Sequence, residues 1–272
     1  MRSPDTHRRV AWITGASRGI GADTAFRLAE LGYDVALTAR DQARLDAVAA
    51  EVEALGQHAL AVSADLTDRA SVGAFADAAL DWAGRCDVLF NNGVYQGAGA
   101  ARPFTDLPID ELARSLEADV IAPALLCQRA FPSMIANGGG VIVNMSSAVV
   151  FLEATGRVDG DGGWSVAYSA SKAAIEQFSK SINAELGSAG IRAFTVEPGH
   201  VAYGDHFQEL VDGNDPGTVA PAEVIGPAIA WLVRSPDADR LLSKRIHLPA
   251  ITERQGLLAG WDGPGSPYPT RW

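Results

Sequence analysis

Short apolar runs and stretches of helical composition alternate along most of this chain, and that alternation limits the folds open to it. Residues 10–14 form an apolar run that enters a glycine-rich turn, and residues 22–30 then have helical composition. The order repeats, with strand-like 34–39 before helical 42–55 and strand-like 58–64 before helical 71–82. Residues 88–91, 141–145, 193–197 and 245–248 supply further runs of strand length, with helical stretches between most of them. Such βα alternation predicts an α/β fold, a parallel sheet covered by helices on both faces. No fixed-period repeat or linker-like tract divides the first 200 residues, so one domain is expected over 10–257. Residues 1–9 are expected to be loose, and 258–272 form a Gly/Pro/Trp-rich tail.

Composition removes several function classes. A formal net charge of −11 with no basic run to offset it disfavours a nucleic-acid partner. No stretch approaches the length of a membrane span or signal peptide, so no membrane partner and a cytoplasmic location are expected. Cys86 and Cys127 lie in apolar contexts without disulfide or zinc spacing, which predicts buried, inert thiols. His200 and His206 stand in a polar loop without metal spacing, and no metal is expected.

An anionic ligand must therefore be held by local donors, and the first turn offers them. In TGASRGIG, residues 14–21, Gly15, Gly19 and Gly21 sit between the first strand and its helix. Glycines there let the backbone approach a pyrophosphate, whose charge the N–H groups of the helix N-terminus stabilise. Tight turns also use glycine for backbone reasons alone. The second strand ends at Arg40 with no acid before Asp41. Arg40 and Arg18 would suit a ribose 2′-phosphate through charge-assisted hydrogen bonds, the other reading being two ordinary surface arginines.

The stretch AYSASKAAIEQFSK, residues 167–180, opens a helix whose apolar stripe runs through Ile175, Phe178, Ile182 and Leu186. Tyr168 and Lys172 stand one turn apart at or beside that face, where a charge needs a reason.

Taken together, TGASRGIG, Asp65 after the third strand, NNG at 91–93, a serine after the fifth strand, YSASK, and Pro198 with Gly199 resemble the short-chain dehydrogenase/reductase family across residues 10–248. The resemblance implies a single Rossmann-like, doubly wound domain with a seven-stranded parallel sheet. It implies NAD or NADP as cofactor, and Arg18 with Arg40 makes NADP(H) the one expected, with NAD(H) the lesser alternative. Gly15, Ser17, Arg18, Gly19, Ile20, Gly21 and Arg40 would then hold the phosphates and adenosine ribose, Asp65 and Leu66 the adenine, and Asn92 and Gly93 the cofactor's path. Pro198, Gly199 and Val201 would lie at the nicotinamide. Asp65 in ADLTD also reads as a helix cap or turn residue, and the two asparagines as a turn; these roles coexist with binding.

Carbonyl reduction by a nicotinamide needs a hydride at carbon and a proton at oxygen. Tyrosine ionises only near pH about 10 in its reference state, and a nearby ammonium stabilises its phenolate. By resemblance Tyr168 is the general acid in reduction and base in oxidation. Lys172 serves the phenol and the nicotinamide ribose, and Ser147 rather than Ser146 bonds the substrate oxygen. The partners implied are a small carbonyl or alcohol substrate and a second copy of the chain, as dimer or tetramer.

The sequence also departs from the family. Asp119 stands where many members carry an asparagine in a proton relay; an ionised carboxylate accepts hydrogen bonds but cannot donate them. It reads equally as part of the relay or as a structural replacement. Tyr203 stands at a usual threonine, and KRIHLPA lacks the paired glycines that commonly follow the last strand. Ser147 and Tyr168 lie 21 positions apart, a longer gap than usual, which the loop 154–164 would absorb. Residues 202–218 lie where a substrate-binding lid would begin, and Tyr95, Phe151, Trp164, Tyr203 and Phe207 suggest a partly aromatic pocket. The function expected is an NADP(H)-dependent oxidoreductase acting on a ketone, aldehyde or alcohol. The alternative is a catalytically weak, dinucleotide-binding, redox-responsive regulator, motivated by Asp119 and Tyr203.

Overall fold

A computed structural model describes residues 8–97, 102–151, 165–202, 219–261 and 263. The strands are β1 (Arg9–Thr14), β2 (Tyr33–Ala39), β3 (Ala59–Ser63), β4 (Val88–Asn91), β5 (Gly140–Met145), β6 (Ile191–Glu197), β7 (His200–Ala202), β8 (Val219–Pro221) and β9 (Arg245–His247). The helices are α1 (Gly19–Glu30), α2 (Gln42–Ala54), α3 (Arg69–Ala83), α4 (Ile109–Leu116), α5 (Ala122–Ala136), α6 (Val166–Leu186), α7 (Ile225–Arg234) and α8 (Leu248–Gln255). Seven strands form one parallel sheet in the order β3-β2-β1-β4-β5-β6-β9, while β7 and β8 pair as a separate parallel ribbon. This is the doubly wound α/β domain that the alternation predicts.

Both faces of the sheet are buried, which is why its strands read as near-continuous apolar runs. Along β1, Ala11 and Ile13 face one core with α1, α2, α7 and α8, whereas Val10 and Trp12 face the other with α3, α5 and α6. Trp12 is fully buried and meets Phe75 edge-on, ring centroids 6.0 Å apart. The apolar stripe of α6 packs on that second core through buried Ile182 and partly buried Phe178 and Leu186, and Ile175 is buried as well. Cys86 and Cys127 are free and buried, and burial raises both thiols, Cys127 to about 12. Among the described residues no helix is long and apolar enough to cross a membrane.

Helix starts differ from the sequence expectation because caps and turn glycines decide them. The first helix begins at Gly19 instead of residue 22, absorbing the end of the glycine turn. The third begins at Arg69, capped by the Asp68 side chain, which accepts from the Ala70 N–H. A π-helical turn, Glu117–Ile121, joins α4 to α5. The loop 154–164, residues 1–7, Tyr203, His206, Phe207 and most of the tail lie outside the described residues, as does the segment 203–218 of the expected lid.

The chain does not stop at its last strand. His247 ends β9 and caps α8, its Nδ1 accepting from the Ala250 N–H at 3.3 Å. Burial first, then the charges of Arg245 and Arg254, lower its pKa from 6.5 to about 4. Between those pH values the unfolded chain binds a proton here that the folded chain refuses, so stability falls as pH falls through that window. Asp23 runs the other way: burial raises it to about 6, so its contribution is lost as pH rises through that value. Comparing wild type with His247→Asn cancels Asp23. Denaturant midpoints measured from pH 7 to 4 should fall less steeply in the variant, the difference reaching at most about 3 kcal/mol.

Candidate functional site

The sheet order reverses between β1 and β4, and a ligand crevice opens at the carboxyl ends of such neighbouring strands. Thr14, at the end of β1, laces the two sides together. Its Oγ1 accepts from the Asn92 N–H at 3.0 Å and the Gly93 N–H at 2.9 Å, and it donates to the Phe90 carbonyl at 3.4 Å. Asn92 Nδ2 returns hydrogen bonds to the Thr14 carbonyl at 2.9 Å and the Gly15 carbonyl at 3.3 Å. Gly15 has φ +65°, and a Cβ there would lie 2.8 Å from Asn92 Nδ2 and 2.9 Å from the Gly93 Cα. Only glycine lets these two loops meet.

The turn then enters α1. Ser17 and Gly19 are half-buried, Ile20 and Gly21 are buried, and Arg18 is exposed as the residue preceding the helix. No side chain caps α1 and no acid occupies its first turn, so its N–H groups suit an anion. The Ala16 N–H donates to the Thr38 carbonyl at 3.1 Å, tying this turn to the end of β2. Arg18 and Arg40 therefore leave from adjoining segments, both exposed. Asp41, the first acid after β2, caps α2 by accepting from the Arg44 N–H. These residues fit a phosphate-bearing dinucleotide on their donors and on the backbone space that Gly15 leaves.

Asp65 makes a local turn, its Oδ1 accepting from the N–H and hydroxyl of Thr67, both at 2.9 Å. It is exposed, and the cap of α3 falls to Asp68 instead. Leu66 reaches the Gly93 backbone so closely that a Cβ there would meet its Cδ1 at 2.5 Å. Asp65 and Leu66 thus border the same crevice from β3.

The chemistry-bearing side chains gather around the start of α6. Ser165 caps this helix by accepting from the Tyr168 N–H, which fixes where its first turn begins. Lys172 is 3% exposed; its Nζ donates to the Met145 carbonyl at 2.9 Å and lies 5.6 Å from the centre of the Tyr168 ring. Tyr168 is half-buried. The two serines after β5 separate clearly. Ser146 is buried and donates to Glu176 Oε1 at 2.8 Å, whereas Ser147 is half-buried, with Oγ accepting from the Val149 N–H at 3.4 Å. Ser147 thereby keeps its own proton to donate.

Asp119 sits in the π-helical turn, 3% exposed. Its Oδ1 accepts from the Tyr95 N–H at 2.9 Å and its Oδ2 from the Ser171 hydroxyl at 2.8 Å. Burial raises its pKa, and the charge of Lys172 is the largest influence opposing that rise. A carboxylate suits both neighbours because both are donors. Pro198 and Gly199 follow β6 directly and Val201 lies in β7, so this side of the site is carried by β6 and the ribbon. Reasoning from the sequence passed over Thr14, Glu176, Glu197 and Arg245. The signal for Glu197 was available, an acid at the end of a mostly buried strand; Arg245 offered none until β9 was placed beside β6.

Residues 9–215 match the family model described as short chain dehydrogenase. A cis-4-hydroxycyclohexanecarboxylate dehydrogenase from Sinomonas cyclohexanicum is 38% identical over 196 residues, 71% of this chain and 73% of that protein. A 7alpha-hydroxysteroid dehydrogenase from Escherichia coli strain K12 is 31% identical over 193 residues, 71% of each chain. Among solved structures, a blue fluorescent protein from a metagenomic library in complex with NADPH superposes with a TM-score of 0.73 at 31% identity, covering 88% of this chain and 95% of that one. With the sheet order, the glycine turn and the Tyr168–Lys172 helix already in place, these matches show that the chain belongs to the short-chain dehydrogenase family of oxidoreductases.

Proposed function

We propose that this protein is an NADP(H)-dependent oxidoreductase that interconverts a ketone or aldehyde and an alcohol. The observation that carries the reading is Lys172, buried beneath the first turn of α6 with its amino group on the Met145 carbonyl and beside the Tyr168 ring. A bound nicotinamide would supply the hydride in reduction and take it in oxidation. Glycine turn residues 15–21 would hold its phosphates, Asn92 and Gly93 its middle, and Pro198, Gly199 and Val201 the nicotinamide end.

The protein's own part is proton transfer and positioning. Ser147 Oγ, whose proton is not used in its bond with Val149, donates to the substrate oxygen. The Tyr168 phenol donates to the same oxygen in reduction and accepts its proton in oxidation. Lys172 favours the phenolate by its charge, and Asp119 holds the Ser171 hydroxyl and the Tyr95 backbone N–H. The relatives' names, a hydroxycyclohexane acid and a hydroxysteroid, point to a secondary alcohol on a ring as the first substrates to try.

NADPH oxidation, followed by the loss of reduced-nicotinamide absorbance, should detect turnover on a panel of cyclic ketones and aldehydes. Tyr168→Phe should lower kcat by about 10²–10⁴-fold while dinucleotide binding persists. Equal turnover in the variant would reject Tyr168 as the acid–base group, and dinucleotide binding without wild-type turnover on any carbonyl would favour the regulatory alternative.

Cofactor choice rests on Arg18 and Arg40. Arg40→Asp should weaken NADPH binding roughly tenfold or more relative to NADH, the loss of a charge-assisted hydrogen bond. Titration of both dinucleotides against wild type and variant reads this directly, and tighter NADH binding by the wild type would reverse the assignment.

Asp119→Asn keeps an acceptor for the Tyr95 N–H, and Ser171 keeps the Tyr168 carbonyl, 2.9 Å from its hydroxyl, as an alternative acceptor. Removing a negative charge from beside the Lys172–Tyr168 pair should move the pH–rate profile to lower pH. An unmoved profile with an altered melting temperature would make Asp119 purely structural.

A further inference from the structure

Ser147 and Tyr168 are 21 positions apart in the sequence, and a covalent path of that length, with two soft dihedrals at each residue, does not by itself fix two side chains about one substrate atom. A shorter route crosses from the end of β5 to α6. The Ser146 N–H donates to the Val196 carbonyl at 2.7 Å, which carries the β5–β6 ladder one residue past Met145 and fixes the backbone just before Ser147. Ser147 then turns at once into the 3-10 segment Ala148–Phe151, its Oγ accepting from the Val149 N–H at 3.4 Å and its carbonyl from the Val150 N–H at 3.3 Å.

Two side chains of α6 hold this strand end, with opposite polarity. Lys172 Nζ donates to the Met145 carbonyl at 2.9 Å, and Ser146 Oγ donates to Glu176 Oε1 at 2.8 Å. Lys172 and Glu176 are four residues apart, neighbours on one face of the helix, and they engage consecutive residues of the chain. One bond leaves a segment free to swivel about it, whereas two bonds a turn apart also set its direction. Ser146 is 1% exposed, so its hydroxyl needs an acceptor within the protein. The Lys172 carbonyl lies 3.5 Å away and would suffice if satisfying a buried hydroxyl were the whole requirement. The half-buried Glu176 carboxylate offers a shorter, charge-assisted bond, and it comes from the helix that carries Tyr168.

We propose that Glu176 is a positioning residue: through Ser146 it fixes Ser147 relative to Tyr168, which stands two turns earlier on the same helix. The effect on turnover rests on the oxidoreductase reading above, though the tether itself does not. In that reading Lys172 both serves Tyr168 and holds Met145, so its removal cannot separate positioning from proton transfer. Glu176 takes no part in the proton transfer, and its loss loosens the serine while leaving Tyr168, Lys172 and the glycine turn in place. A displacement of about 1 Å in a catalytic geometry can lower the rate by about 10²-fold.

Steady-state kinetics on the best ketone of the panel, with NADPH dissociation constants measured alongside, test this role. Ser146→Ala and Glu176→Leu should each lower kcat/KM roughly 10–100-fold, with a much smaller change in the dinucleotide dissociation constant. Glu176→Gln, which keeps an acceptor oxygen, should recover most of the loss. The double variant Ser146→Ala/Glu176→Leu should be no worse than the poorer single one, because both substitutions break the same bond. Amide hydrogen exchange on the full chain reads the tether without turnover: in both single variants residues 146–151 should exchange about tenfold faster, with β1 and β4 as in wild type. Additive losses in the double variant, Glu176→Gln as impaired as Glu176→Leu, unchanged exchange in 146–151, or faster exchange throughout the sheet would each overturn the tether. Absence of wild-type turnover on every carbonyl would instead overturn the oxidoreductase reading, and the exchange comparison would still decide the tether.

Discussion

The arrangement at the substrate end depends on sealing one amino group, that of Lys172, inside the protein. A buried amine must find its hydrogen-bond partners in the protein, and its charge must be balanced nearby. The Met145 carbonyl supplies the partner, at the point where β5 ends and its last carbonyl is free to turn toward α6. Asp119, in a π-helical turn between α4 and α5, lies near enough that the charge of Lys172 opposes the rise burial gives its carboxyl. Once Lys172 is fixed in this way, Tyr168 has little freedom, because it sits one turn earlier on the same helix.

That helix is anchored by more than its apolar stripe. Asn183 makes a two-way pair with the Ala193 backbone, both bonds 2.8 Å, near its carboxyl end. Closer to the site, Asn91 donates to Asn144 at 2.8 Å and Asn144 to Ser179 at 3.0 Å, a buried polar chain running from β4 through β5 to α6. Apolar packing alone would tolerate a small slide of α6 along the sheet, whereas each of these bonds would be broken by it and leave a buried donor unsatisfied. The polar seam therefore converts a stable helix–sheet contact into a precise one, as the proton transfer proposed for Tyr168 would require.

The fold was legible because its signals are local and repeated. Runs such as 10–14 and 34–39 announce strands buried on both faces, and the intervening helices carry apolar stripes of helical period. The pair Tyr168 and Lys172 was legible for the same reason, since four residues on a helix is one turn. Residues acting across strands were not. Thr14 reads as the end of an apolar run, and nothing local says that its hydroxyl accepts from two N–H groups 78 and 79 positions away. Arg245 reads as a charge on a short strand until the sheet order places β9 against β6. Asp65 was legible in both its senses, and the structure gives the turn while Asp68 takes the cap.

The departure at the last strand follows the same logic. Where the family commonly has paired glycines, this chain runs straight into α8, with His247 as cap and Pro249 in the first turn, where a missing N–H costs nothing. A capping histidine must present a neutral Nδ1 as acceptor, so its ring has to be sheltered from protonation. Burial beneath the Gly199 turn, and the charges of Arg245 and Arg254, provide that shelter. The same arginine that disfavours a charged His247 opposes the rise that burial imposes on the Glu197 carboxyl. The edge strand, three residues long, joins this end of the sheet through its backbone ladder and through the His247 ring, against which the Gly199 turn rests.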